Sequence, residues 1–184
     1  FDSRENLTSL DAFEIFDYPI RKYEYNNIAS HILGYLGEPS FEDVQEFPLS
    51  ENSNIIGKSG LERYYQDDLA GVPTEIIFKD EEITEIIKGS PGKDIFTSLD
   101  INLQTLATES LLQGINLANE NFESSRNIQK GAIVVLDIRS NEVVSLVSLP
   151  DYDPNNFVDG ISRSEFNKLN IDGAFNNYPI QGQY

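Results

Sequence analysis

Gly131-Ala132-Ile133-Val134-Val135-Leu136-Asp137 and Glu142-Val143-Val144-Ser145-Leu146-Val147-Ser148-Leu149, joined through Arg139-Ser140-Asn141, decide the fold of this chain. Both runs are rich in β-branched residues and the residues between them favour a turn, so the stretch predicts a β-hairpin. The first run is almost wholly apolar, which predicts a strand buried on both faces. Pro150 closes the second run, and the turn-rich Asp151-Tyr152-Asp153-Pro154-Asn155-Asn156-Phe157 follows.

Working outward, Asp100 is placed to cap a long helix over 102–122, with Leu103, Leu106, Ala107, Leu111, Ile115 and Ala118 on one apolar face. Gly114 weakens that helix by roughly 1 kcal/mol relative to Ala. A short strand is predicted over 95–99 and a short helix over 164–169. Gly89-Ser90-Pro91-Gly92-Lys93 is the best candidate domain boundary. Before it, 75–79 and 83–88 read as a strand pair around Asp80-Glu81-Glu82. Ser59 reads as the N-cap of a helix over 60–69, with Glu62 at capping-box spacing and Gly71 and Pro73 as stops. The segment 38–54 is a loop with one helical turn at 41–45. Asn26 or Asn27 can cap a short helix over 28–33, and 13–25 reads as extended segments bent at Pro19.

The chain has 184 residues, 39% of them hydrophobic, with 11 Phe and 9 Tyr, enough for a packed core. Lys and Arg number 13 against 31 Asp and Glu, a net charge of −18. That balance argues against nucleic acid, whose phosphates call for clustered cations, and against an anionic membrane surface. The absence of Cys excludes disulfides, thiolate nucleophiles and thiolate zinc sites. No run approaches the roughly 18 apolar residues of a membrane span. The chain starts at Phe1 and contains no Met, which reads as a processed or trimmed piece.

Single motifs carry little. Gly57-Lys58-Ser59 imitates the tail of a phosphate loop, but Asn52 stands where that motif needs Gly. Asp151 to Asn155 imitates the start of a calcium loop, but Asn156 and Ser162 occupy its Gly and Glu positions, so a turn held by Asx side chains is the better reading. His31 is the only histidine and lies among Ile28, Ile32 and Leu33, which favours a packed structural role. Asp67-Asp68 and Glu81-Glu82 read as solvated faces rather than acid–base pairs, and Asn6-Leu7-Thr8 is a lone glycosylation sequon. No cofactor and no metal site is predicted.

Taken in order, four segments resemble the class B penicillin-binding proteins. Arg21-Lys22-Tyr23-Glu24-Tyr25, Ala29-Ser30-His31 and Gly34-Tyr35-Leu36-Gly37 are similar to the family's Arg-x-Tyr-Pro-x-Gly, Ala-x-His and Gly-Tyr-x-Gly elements. Gly57 to Tyr65, with Leu69-x-Gly71, resembles its Gly-x-x-Gly-Leu-Glu and Leu-x-Gly elements. Leu99 to Gln104 resembles the opening of its transpeptidase domain. The hairpin with Tyr152-Asp153-Pro154-Asn155 and Gly160-Ile161-Ser162 is the fourth. Glu24 and Asn26 depart from the usual Pro and Gly, and Asn177-Tyr178 from the usual Asn-Arg.

The resemblance implies an α+β architecture. Residues 1–89 form part of a pedestal, or dimerisation, domain, and 90–184 begin a transpeptidase domain with its first helix and central-sheet hairpin. It places the Ser-x-x-Lys nucleophile just beyond these residues, so no catalytic residue is assigned here and the 184 residues alone are expected to be inactive. The positions carried over as structural or interdomain are Arg21, His31, Gly57, Gly60, Glu62, Gly71, Asp153 and Asn155. An ion pair between Arg21 and Glu62 is the sharpest expectation. The parent implied is a peptidoglycan D,D-transpeptidase of the elongation branch. It is anchored upstream of Phe1, faces outward, acts on stem peptides and β-lactams, and works with a polytopic membrane glycosyltransferase. The alternatives are a non-catalytic module regulating that glycosyltransferase and a β-lactam sensor or β-lactamase relative.

Overall fold

The computed structural model describes residues 20–48, 55–72, 74–79, 82–121 and 127–182. Asn6 to Thr8, Phe13 to Pro19, Asn52, Pro73, the turn residues Asp80 and Glu81, and Phe122 lie outside the described residues. The architecture is α+β. In chain order the elements are α1 (Ser30–Leu33), β1 (Leu36–Gly37), α2 (Phe41–Glu46), β2 (Ile56–Gly57), α3 (Gly60–Tyr64), α4 (Gln66–Leu69), β3 (Glu75–Lys79), β4 (Glu82–Ile87), α5 (Ile101–Asn121), β5 (Gly131–Asp137), β6 (Glu142–Leu149), α6 (Arg163–Asp172) and α7 (Tyr178–Gln181). A 3-10 turn, Pro154–Phe157, precedes α6.

The hairpin β5–β6 is antiparallel, from Gly131 opposite Leu149 to Asp137 opposite Glu142, with a bulge at Val135/Leu136. Asn141 takes φ 62°, the left-handed turn conformation that Asn tolerates. Asp100 caps α5 as expected, its Oδ1 accepting from the amides of Asn102 and Leu103 at 2.9 and 3.0 Å. The helix lies on one face of the hairpin. Ala107, Val147 and Leu149 are buried there, with Leu111, Ile115 and Ile133 against them. At 25 cal/mol per Å², each large side chain removed from water here contributes roughly 1.5–3 kcal/mol.

The opposite face of β5 is open. Val134 and Leu136 are about half exposed, which corrects the expectation of a strand buried on both sides. The physical reason is that, among the described residues, β5 has one strand neighbour, β6, and the helices that touch it, α5 and the four-residue α7, leave Val134 and Leu136 uncovered. Leu106 likewise faces outward, so the buried stripe of α5 is narrower than its apolar spacing predicts.

Local boundaries shift elsewhere. The helix expected over 60–69 breaks at Tyr65 (φ −107°, ψ 27°) into α3 and α4, and the Ser59 side chain makes no cap bond. Glu62 is drawn away to distant partners instead of closing a capping box. The helix expected over 28–33 shrinks to α1, because Asn26 and Ala29 adopt positive φ and turn the chain before it. The stretch 95–99 forms no strand. It is pinned beside β6 by Ser98 Oγ, which donates to the Val143 carbonyl, and by the Asp100 amide, which donates to Val144. The last predicted helix is longer, Arg163–Asp172, capped by Ser162 and ended by Gly173 at φ 77°.

Candidate functional site

The described residues converge where the turn at 21–31 meets the segment after β6. Asn155 grips the backbone of Tyr23 from both sides: its Oδ1 accepts from the Tyr23 amide and its Nδ2 donates to the Tyr23 carbonyl, both at 2.9 Å. This imitates a strand ladder with a side-chain amide, and only one amide orientation satisfies both bonds. Asp153 holds Asn155 in place, its Oδ1 accepting from the amide and from Nδ2 of Asn155 at 2.9 Å. Asp153 also caps the 3-10 turn that Pro154 opens. The residues that imitate a calcium loop thus form an Asx-held clasp.

Three more hydrogen bonds join the same two segments. Asn27 Nδ2 donates to Asp151 Oδ2 at 2.7 Å. Burial pushes the Asp151 carboxyl above its ordinary range, and the Asn27 bond partly offsets that. Tyr152 donates its hydroxyl to the Ser30 carbonyl at 3.1 Å, and burial pushes its phenol up to about 12. His31 Nε2 lies 2.8 Å from the Ala174 carbonyl. A carbonyl only accepts, so Nε2 carries the proton. Burial lowers the His31 pKa below its usual value, more than the Ala174 bond raises it. Below the ring, Tyr152, Phe157 and Ala174 are buried with Tyr35 and Phe175 around them, and the Tyr35 and Phe157 ring centroids are 4.4 Å apart.

Arg21 and Glu62 meet one layer away. Arg21 Nε and Nη2 reach Glu62 Oε1 and Oε2 at 3.0 and 3.2 Å, a two-pronged pair. Tyr23 donates its hydroxyl to Glu62 Oε1 at 3.0 Å. Burial first, then the Glu62 charge, pushes that phenol well above its ordinary range. One carboxylate therefore ties α3 to the same strip of chain that Asn155 holds from the other side.

The glycines make this approach sterically feasible. A Cβ on Gly60, which has φ +59°, would sit 2.5 Å from the Ile32 carbonyl oxygen. One on Gly57 would sit 2.2 Å from the Glu62 backbone, and the Gly57 amide donates to Gln66 Oε1 at 2.8 Å. Gly71 lies apart from the clasp, beside the bridge between Val72 and Ser90.

Several organising residues escape a sequence reading. Asp43, buried on α2, accepts from Ser40, from Lys58 Nζ at 2.5 Å and from Arg63 Nη1 at 2.7 Å. Burial disfavours its charge, but these donors outweigh burial and hold the carboxyl well below the usual range. Ser-x-x-Asp at 40–43 is a capping box, the one signal that could have found it. Gln104, 2% exposed, accepts from Ser145 Oγ and the Leu146 amide and donates to the Leu146 carbonyl. Nothing in its spacing announces that role.

Chemically, the arrangement docks and orients. His31 commits Nε2 to a carbonyl, and Lys58 is held by Asp43 rather than cradling a phosphate. Ser90-Pro91-Gly92-Lys93 does carry the bare Ser-x-x-Lys spacing. The Ser90 backbone pairs with Val72 in an isolated bridge, no helix starts there, and Lys93 Nζ lies 2.6 Å from Asp68 rather than being aimed at the serine. Among the described residues no three His, Cys, Asp or Glu side chains converge as a metal site.

The chain is similar to known proteins. The model of the penicillin-binding protein dimerisation domain matches residues 2–97. The chain is 36% identical over 173 residues to the peptidoglycan D,D-transpeptidase MrdA of Haemophilus influenzae, covering 86% of this chain and 24% of that protein. It is 34% identical over 178 residues to MrdA of Escherichia coli K12, covering 89% and 25%. Among solved structures it is similar to Pseudomonas aeruginosa PBP2 bound to WCK 5153, with TM-score 0.66 and 30% identity, covering 89% of this chain and 31% of that one. It is also similar to PBP2 in its complex with MreC from Helicobacter pylori, with TM-score 0.68 and 28% identity, covering 95% and 31%. The chain spans about a quarter of the length of the curated relatives it matches.

Proposed function

This chain belongs to the class B penicillin-binding protein family, and from that premise we propose that it is the scaffold region of a peptidoglycan D,D-transpeptidase. In this reading 1–89 are pedestal and 90–184 open the catalytic domain. The pedestal fixes the orientation of that domain and offers a surface to a membrane glycosyltransferase or to a partner such as the MreC of the Helicobacter pylori complex. The protein works outside the cytoplasmic membrane, cross-linking stem peptides through an acyl-serine that β-lactams trap. Arg21, His31, Gly57, Gly60, Glu62, Asp153 and Asn155 serve docking, not chemistry, and Gly71 serves the link between the two parts.

The observation that carries this reading is the clasp, in which Asn155, Asp151, Tyr152 and Ala174 from beyond the hairpin hold Tyr23, Asn27, Ser30 and His31. A rigid joint of that kind suits a domain that must be presented at a set angle. The open face of β5 supports it as well, since Val134 and Leu136 are suited to further packing by the rest of a transpeptidase domain.

Labelling of the full-length protein with a fluorescent penicillin tests the proposal. Covalent label on the folded protein, lost when its Ser-x-x-Lys serine is replaced, is the expected result. Folded protein that takes no label refutes the enzymatic reading and leaves the non-catalytic partner module.

A further inference from the structure

Between α1 and the wall made by α5 and β6 lies a small cavity of about 10 Å³. That is the scale of a single water molecule. Its lining is polar and includes Asn27, Ser30, His31, Gln104, Ser148 and Asp151. Ser30 is 1% exposed, and its hydroxyl has no hydrogen-bond partner among the described residues. Buried hydroxyls in native proteins are paired, and an orphan needs an explanation.

The other polar groups of the wall are already committed. Gln104 uses both ends of its amide on Ser145 and Leu146. Ser148 Oγ donates to the Asn176 carbonyl and accepts from the Tyr178 amide. The Ser30 backbone is spent too, its carbonyl accepting from Tyr152 and from the Gly34 amide. Spare capacity remains on the Ser30 hydroxyl, on the Asp151 carboxylate, which has more lone pairs than the Asn27 bond uses, and on His31 Nδ1. Because Nε2 carries the proton, Nδ1 of the neutral ring is an acceptor. A hydroxyl without a partner and two groups with acceptor capacity line the same one-water cavity, which matches a molecule that can accept once and donate twice.

We propose that one ordered water occupies this cavity, hydrogen-bonded to Ser30 Oγ and to the acceptors beside it, and joins α1 to the hairpin segment. It sits among three direct bonds, Asn27 to Asp151, Tyr152 to Ser30 and His31 to Ala174, so the joint is a hydrated seam rather than a dry one. The water is a fixed part of the docking surface. A monovalent cation fits less well, because it calls for a shell of several oxygens in a space of this size.

A high-resolution crystal structure of the full-length protein tests this, alongside the variant Ser30→Val, whose branched side chain fills the space. One density peak about 2.6–3.2 Å from Ser30 Oγ is expected in the wild type and absent from the variant. The wild-type map decides by itself if the variant does not fold. An empty cavity, a Ser30 hydroxyl bonded directly to a protein group, or a peak with several oxygen contacts near the shorter cation distances would each overturn the proposal.

Discussion

Removing the Glu62 carboxylate should open the pedestal side of the joint. In Glu62→Ala the Arg21 guanidinium loses both prongs and the buried Tyr23 hydroxyl loses its acceptor. Breaking a fully buried ion pair costs about 3–5 kcal/mol. The Arg21 side chain is 38% exposed, so water recovers part of that and about 2 kcal/mol remains. Stranding the Tyr23 hydroxyl adds about 1 kcal/mol, for a total near 3 kcal/mol. Tyr23→Phe alone should cost about 1 kcal/mol. Arg21→Met should cost about 2 kcal/mol, because it leaves a carboxylate that is 9% exposed with a single neutral donor. The double variant should be less damaging than the sum, with a coupling of about 1–2 kcal/mol. A large protein does not unfold in one step, so the assay is native-state hydrogen exchange on peptides covering 55–65, read as local opening free energies. A coupling below about 0.3 kcal/mol would show that the pair is a surface contact and that the docking argument built on it is wrong.

The glycines offer a comparison of opposite sign. Gly60→Ala places a Cβ in a left-handed conformation and against the Ile32 carbonyl, and should cost more than about 3 kcal/mol, whereas Gly114→Ala meets nothing within 4 Å in α5 and should stabilise by about 0.5–1 kcal/mol. Native-state hydrogen exchange on peptides around Gly60 and Gly114 checks the pair, and equal changes in local opening free energy would contradict it. Gln104→Leu strands the Leu146 amide and carbonyl in the core and should cost about 2–3 kcal/mol, visible as faster amide exchange in β6. The His31 pKa is lowered on folding, so the unfolded chain binds its proton first. Stability from this residue is therefore full above the ordinary value of 6.5 and falls as pH drops through 6.5 toward the folded pKa. His31→Gln should flatten that part of the pH–stability profile, and an unchanged slope would assign it to other groups.

Much of the fold was legible because it is written in local periodicity. β-branched runs around a turn produced the hairpin, Asp100 and the apolar spacing placed α5 within a residue at each end, and α2 was visible as a single helical turn. Of the joint, Arg21, Glu62, His31, Asp153 and Asn155 were legible only through the order and wording of whole segments. Their partners lie far along the chain: 41 residues separate Arg21 from Glu62, 132 separate Tyr23 from Asn155 and 143 separate His31 from Ala174. No spacing rule reaches that far.

The sequence by itself determined the α+β class, the acidic surface, the main elements and the family. Tertiary structure alone decided the break at Tyr65, the inward turn of Gln104, the hub at Asp43 and the open face of β5. Local propensity sets what a segment is able to form. Which face it buries, and which of its polar groups find partners, depends on what arrives from the rest of the chain, because burial and hydrogen-bond satisfaction are properties of neighbours in space.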